Sequence, residues 1–189
     1  MAIAKGIDKW KLKKWFSVYA PKTLNGALVG EMPANDEKSA VGRNIIVSLD
    51  TLTHNPSHAY TNISLKVTEV KGEAAQTRLM GFELLSSYIR SFVRRYRSIS
   101  TAVIPATSKD GTSMVVKLIA VTRQRTAATK TRSIRHDMSS FTNLFFKENN
   151  SDSIVAAMLE GKFQAEMGAK LGHIAGISKV EVRKLEIVA

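Results

Sequence analysis

Arg90, Arg94 and Arg97 recur at spacings of four and three, and Arg123, Arg125, Lys130, Arg132 and Arg135 crowd a later stretch. A guanidinium presents a planar fork of donors that matches phosphate oxygens and stacks on bases, whereas an ammonium is a point charge. Residues 84–136 hold eleven Lys and Arg against one acid, Asp110, and eight of the chain's eleven arginines lie there. A second cationic run, residues 1–22, holds Lys5, Lys9, Lys11, Lys13, Lys14 and Lys22 against Asp8 alone. The remainder carries more acid than base, so these two segments supply the whole net charge of +12. A single charge run is usually a solvated face. Two segregated runs over a near-neutral remainder repel themselves until an external polyanion supplies counter-charge. The expected ligand is therefore nucleic acid. Lys9, Lys11, Lys13 and Lys14 are candidates for an electrostatic arm. Arg90, Arg94, Arg95, Arg97, Arg123, Arg125, Lys130, Arg132 and Arg135 are candidates for the geometrically specific contact surface.

Other chemistries lack their residues. The chain has no cysteine, which excludes disulfides, thiolate zinc sites and a cysteine nucleophile, and fits a reducing compartment. His54 and His58 flank Pro56 with no further ligand cluster, so a polar loop is expected and no metal. There is no glycine-rich phosphate loop with its lysine and no Gly-x-Ser-x-Gly. No catalytic residue and no cofactor is expected. The N-terminus lacks the apolar core of a secretory signal, and no stretch approaches the ~20 apolar residues of a membrane helix. A soluble, cytoplasmic protein without membrane contact is the expectation.

These cations need elements to position them. With 189 residues and 44% hydrophobic content, the chain can bury a substantial core. Residues 1–22 read as a basic arm and 23–189 as one domain. Residues 23–40 are rich in turn formers and read as loop. Residues 43–49 and 60–70 alternate as strands, the second returning through Lys71-Gly72 into 74–82. A clearer hairpin joins 101–107 to 112–122 around Asp110-Gly111. Leu84, Tyr88, Phe92 and Tyr96 recur every four residues, predicting a helix over 84–97 with Arg90, Arg94 and Arg97 in one outward row and Arg95 at the apolar edge. Arg123 to Arg135 run from a strand end into a second helix that reaches Phe146. Residues 152–171 predict a third helix, capped by Ser151 or Ser153 and weakened by Gly161 and Gly168. A final strand is expected over 179–188.

In order along the chain, several stretches resemble one family. They are Lys14-Trp15-Phe16-Ser17-Val18-Tyr19-Ala20-Pro21-Lys22, then Gly30-Glu31-Met32-Pro33-Ala34 and Val41-Gly42-Arg43. Leu65-Lys66-Val67-Thr68-Glu69-Val70-Lys71-Gly72 is the strongest, followed by Tyr88-Ile89-Arg90-Ser91 with Val93-Arg94-Arg95. Ser108-Lys109-Asp110-Gly111, Ser133-Ile134-Arg135 and Val180-Glu181-Val182-Arg183-Lys184 complete the set. Over about nine tenths of its length the chain is similar to the archaeal and eukaryotic small-subunit ribosomal proteins of the S-three-Ae family (eS-one in unified naming), in its compact archaeal form. The resemblance implies an α+β fold: a β-barrel-like antiparallel sheet body with about three packed helices and a basic N-terminal arm. It further implies a structural constituent of the small ribosomal subunit, no catalysis, and a place on the platform near the messenger RNA exit. The implied partners are small-subunit ribosomal RNA, neighbouring ribosomal proteins and messenger RNA near that exit. A processing or assembly factor that binds RNA without residing in the ribosome is the alternative.

Overall fold

Alternating apolar residues and one strong turn build the centre of the sheet. A computed structural model describes Trp10, residues 13–24 and residues 26–188. Its strands are β1 (Lys14–Tyr19), β2 (Leu28–Ala34), β3 (Asn44–Ser48), β4 (Thr61–Lys71), β5 (Ala74–Leu84), β6 (Ile99–Thr107), β7 (Ser113–Thr122) and β8 (Ile177–Val188). The helices are α1 (Glu37–Ala40), α2 (Leu49–Thr53), α3 (Ser86–Phe92), α4 (Ala128–Glu148), α5 (Ser151–Leu159) and α6 (Lys162–Leu171). The Asp110-Gly111 turn sets the β6–β7 register, with Thr107 opposite Ser113 and Ile99 opposite Val121.

All eight strands belong to one mixed sheet. β5 is its branch point. β4 pairs along one edge of β5, while the other edge takes β1, parallel, at residues 74–76 and β8, antiparallel, at residues 81–83. From β8 the sheet continues through β7 to β6, and from β1 to β2, with β3 beyond β4. The expected mixed α and β composition holds. The sheet is open, however, and not a closed barrel: no ladder joins β2 to β3 among the described residues. Instead the Arg43 guanidinium donates to the Pro33 carbonyl at 2.8 Å across that gap.

Branching requires a kink in β5, and Gly81 supplies it. The register slips between Ser64–Gly81 and Leu65–Leu79, leaving Met80 as the extra residue of a bulge. Gly81 has φ +147, and a Cβ there would lie 2.0 Å from the Leu185 carbonyl oxygen. Only glycine permits that approach of two backbones.

One face of the sheet is covered by helices. Ile104, Val116, Leu118, Ala120, Val180 and Val182 pack against Ile134, Met138 and Phe141 of α4, Ile154 and Met158 of α5, and Phe163 and Met167 of α6. Full burial of each large apolar side chain is worth about 1.5–3 kcal/mol. A smaller core of Phe16, Val18, Met32, Ala34 and Val67 fills the β1–β5 half.

Several local expectations are corrected. Residues 23–40, expected as loop, contain β2 and α1, and Lys14–Tyr19 of the expected arm form β1, paired on both edges. The helix expected over 84–97 spans only Ser86–Phe92, because Leu84 completes the pairing of β5 with Thr61 and Tyr96 takes φ 61. The third helix is two, split where Gly161 adopts φ 82. Neither Ser151 nor Ser153 caps α5. The Asp110 carboxylate, from the β6–β7 turn, accepts the Ser151 N–H at 2.8 Å.

Ion pairs brace the sheet where β5, β8 and β7 meet. Lys184 Nζ lies 2.9 Å from Glu186 and 3.0 Å from Glu83, and Lys117 lies 3.3 Å from Glu186. The bond from Lys184, opposed by partial burial and reinforced by Lys117, holds the Glu186 carboxyl below its ordinary 4.5.

Gly81→Ala should cost about 3 kcal/mol or more, read as a lower midpoint in chemical denaturation. Glu186→Gln should cost under about 1 kcal/mol at neutral pH, since the pair is partly exposed. Because the folded carboxyl is more acidic than the unfolded one, its contribution is present above 4.5 and is lost as pH falls through the lowered value. Denaturation of the two proteins should therefore converge in acid.

Candidate nucleic-acid interface

Hairpin register decides which cations meet. Counting back from the Asp110-Gly111 turn places Ser98 opposite Thr122, at the end of the sheet where β6 begins, β7 ends and β8 starts. The residues before Ser98 include Arg94, Arg95 and Arg97; those after Thr122 include Arg123 and Arg125. Two arginine loops, about thirty residues apart in sequence, are thus set side by side.

A cluster of hydroxyls fastens them. Thr122, 2% exposed, accepts the Ser98 N–H with its Oγ1 at 3.0 Å and donates to the Gln124 carbonyl at 2.6 Å. The Thr122 N–H donates back to the Ser98 carbonyl at 3.0 Å. The Ser98 hydroxyl accepts the Thr126 N–H at 2.9 Å, and Ser100 Oγ donates to the Thr131 carbonyl at 3.4 Å. The Arg123 N–H donates to the Gly176 carbonyl at 2.8 Å, joining the loop before β8. Residues with short hydroxyl side chains suit this position because they bond to backbone without adding bulk or charge.

The second loop leads into α4 and leaves a cleft of about 400 Å³ lined by Arg123, Arg125, Thr126, Lys130 and Gly176. α4 opens on Ala127 without a side-chain cap and has no acid in its first turn. Its unpaired N–H groups and the positive end of its dipole favour an anion, yet the nearby side chains are cations. Arg132 and Arg135 continue as exposed residues along α4, Arg132 across from the buried Ile134 and Arg135 beside the buried stripe.

The first loop emerges from the opposite face of the sheet. Lys179 and Glu181 alternate with the buried Val180 and Val182, so they face away from α4–α6. There α3 meets them. Lys179 Nζ lies 4.6 Å from the Tyr88 ring centre and donates to the Tyr88 hydroxyl at 2.6 Å. Partial burial lowers its basicity, but bonds to Tyr88 and Glu181 outweigh this and hold the ammonium above its ordinary 10.5. Tyr88 also stacks on Tyr60 with centres 4.8 Å apart.

The outward row expected from a longer helix does not form. Arg90 is exposed on α3, but Arg94 and Arg97 lie in the loop beyond it. Arg94 Nε donates to the Ser91 carbonyl at 3.0 Å and Arg97 to Ser178 Oγ at 3.2 Å. Arg95, expected at the apolar edge, is exposed in the turn. The structure nevertheless gathers Arg94, Arg95, Arg97, Arg123, Arg125 and Lys130 at one end of the sheet. Of the N-terminal lysines that are described, Lys13 and Lys14 are not brought to them. Lys9 and Lys11 lie outside the described residues. Lys13 sits 4.2 Å over the Trp10 ring. Lys14 begins β1, three strands from β7, in a cleft shared with Glu31, Asp36, Glu37 and Glu73. The residues missed by sequence reasoning are Ser98, Thr122 and Thr126, whose signal was the hairpin register itself.

The Ribosomal S3Ae family model matches residues 2–189. Small ribosomal subunit protein eS1 of Pyrobaculum aerophilum is 35% identical over 181 residues, covering 96% of this chain and 82% of that protein. Those of Sulfurisphaera tokodaii and Sulfolobus acidocaldarius are each 35% identical, over 96% of this chain and 94% and 92% of their own lengths.

Thr122→Val keeps the shape but removes the acceptor of the Ser98 N–H. It should cost about 1–3 kcal/mol and speed amide exchange in residues 93–98 and 123–127 together. Denaturation and hydrogen exchange would read the two effects.

Proposed function

The chain belongs to the ribosomal S3Ae family, whose members are structural, non-catalytic components of the small ribosomal subunit, and from that premise we propose that it binds small-subunit ribosomal RNA through the two clasped arginine loops. The observation that carries this reading is the convergence of Arg94, Arg95, Arg97, Arg123, Arg125 and Lys130 around one end of the sheet, beside an uncapped helix start. So much like charge, with no acid in the first turn of α4, is a surface whose counter-charge comes from outside.

The role assignments follow from chemistry and position. Arg123, Arg125 and Lys130 hold backbone phosphate in the cleft, where the free N–H groups of α4 add donors. Arg132 and Arg135 extend the track along α4, and Arg90, Arg94, Arg95 and Arg97 extend it over the other face. Lys9, Lys11 and Lys13, before β1, form a separate electrostatic arm that meets RNA as a set of point charges, and Lys14, at the start of β1, marks its root. The near-neutral α5–α6 side faces neighbouring ribosomal proteins. The place in the particle is the platform near the messenger RNA exit, within contact of messenger RNA, and the compartment is the cytoplasm. The support for place and compartment is the family alone; the support for RNA contact is the family together with the charge distribution.

Phosphate recognition predicts a steep salt response. If roughly six to ten phosphates are neutralised, affinity for a small-subunit RNA transcript should fall by ~10³–10⁵ between about 50 and 200 mM salt. Changing Arg94, Arg95, Arg123 and Arg125 to Glu should weaken binding and flatten the slope of log affinity against log salt by about four, one per contact. The thermal midpoint should hold or rise, since like-charge repulsion is relieved. Filter binding checks the first and calorimetry the second. Unchanged affinity and slope would remove these arginines from the interface.

A further inference from the structure

We propose that Tyr96 is a stacking platform for an unpaired nucleobase, so that the arginine loop reads a splayed-out nucleotide in addition to backbone charge. The inference rests on the RNA reading and deepens it by naming the chemistry that this loop recognises.

Tyr96 is 86% exposed, the most exposed large hydrophobic residue among those described. Apolar rings on a folded surface are ordinarily laid against neighbours. The other tyrosines nearby behave that way: Tyr60 is stacked on Tyr88, and Tyr88 is packed edge-on to Phe92. The Tyr96 ring makes no ring contact and its hydroxyl no hydrogen bond among the described residues. It is also held in a costly conformation. Its φ of 61 lies in the left-handed region, where a bulky side chain is an outlier and where glycine or asparagine would serve a simple turn better. A turn needing only to reverse the chain has no use for an aromatic residue there.

Position supplies the ligand. Tyr96 stands between Arg95 and Arg97, two residues after Arg94, and two residues before the Ser98 backbone that Thr122 holds in place. The loop's base is therefore fixed while its tip projects. A ring flanked by guanidinium groups on a rigid base matches single-stranded RNA: the cations hold phosphates on either side, and the intervening base lies on the ring. A duplex keeps its bases stacked on one another and offers no face to Tyr96. The surface therefore discriminates by strandedness, which charge alone does not do.

The test uses the full chain with two labelled probes, a short oligouridylate and an RNA duplex of the same length, at fixed salt. Tyr96→Leu should weaken the single strand about tenfold and leave the duplex affinity and the salt slope unchanged. Tyr96→Phe should bind as the parent does, because the ring and not the hydroxyl is the platform. Tyr96→Gly should weaken the single strand as Leu does while raising the thermal midpoint, since glycine relaxes the backbone. Tyr60→Leu should leave both affinities unchanged. A silent Tyr96→Leu on an RNA-binding parent, or an equal loss on strand and duplex, overturns the stacking role and leaves the RNA reading standing. A parent that binds neither probe overturns both.

Discussion

The hydrogen bonding of one buried hydroxyl, that of Thr122, holds together what charge would drive apart. Two exposed guanidinium groups about 10 Å apart in water repel by about 0.4 kcal/mol before salt screening. Several such pairs arise where the loop carrying Arg94, Arg95 and Arg97 and the loop carrying Arg123 and Arg125 start from paired strand ends. Each hydrogen bond of the Ser98–Thr122–Thr126 cluster contributes about 0.5–1.5 kcal/mol net, and the Thr122 side chain is 2% exposed, where loss of a partner is most costly. The clasp therefore outweighs the repulsion. It is also neutral, so it acts at short range and leaves the long-range field of the arginines intact. A salt-bridged clasp made with Asp or Glu would have joined the loops equally well and cancelled the field.

The same constraint explains the division of labour between the faces of the sheet. α4, α5 and α6 cover one face with an apolar layer. Most residues of α4 that face away from this layer are free to be cationic at its start, where an isolated helix would place acids. On the other face α3 is held by Tyr88 and Lys179, a contact that mixes a cation over a ring with a hydrogen bond. Its short length leaves Arg94–Arg97 in a loop, and a loop can project side chains in directions that one helix face cannot. The branch of β5 at Gly81 separates this end of the molecule from the β1–β2 half, where Lys14 keeps company with four acids. The charge asymmetry written along the chain thus becomes an asymmetry in space.

The parts legible in sequence were those governed by local rules. Alternation in 60–70 and the Asp110-Gly111 turn yielded β4 and the β6–β7 hairpin, and the stripe from Ile134 to Phe145 yielded α4. Apart from the split at Gly161, which is local, the failures share a cause, which is that the deciding interaction is distant in sequence. Leu84 fits a helical stripe, but its pairing with Thr61 across β4 keeps it in a strand. The Asp110 carboxylate accepts from Ser151 across forty-one residues, displacing the local serine caps. β2 carries glycine and proline that read as loop, yet β1 pairs along it from Ala34 to Leu28. For the interface, residue types were legible and grouping was not. Composition marked the arginines; only register shows that Arg94–Arg97 and Arg123–Arg125 are neighbours while Lys14 is not.

Strain and charge at this end of the sheet are two forms of the same thermodynamic bias. A left-handed φ at a bulky residue costs about 1–3 kcal/mol, and the arginine repulsions add to it, so the free protein holds its contact surface against a standing destabilisation. In the proposed complex both effects would be removed or offset: phosphates would neutralise the guanidinium groups, and a base on the Tyr96 ring would contribute stacking energy of about 1–3 kcal/mol. Neither would persist in a flexible loop, which would relax by moving the residues apart. Fixing the loop bases by the hairpin register is what prevents that relaxation. A surface so held loses little conformational entropy on binding, and that advantage, more than the number of cations, distinguishes a preorganised interface from a merely basic one.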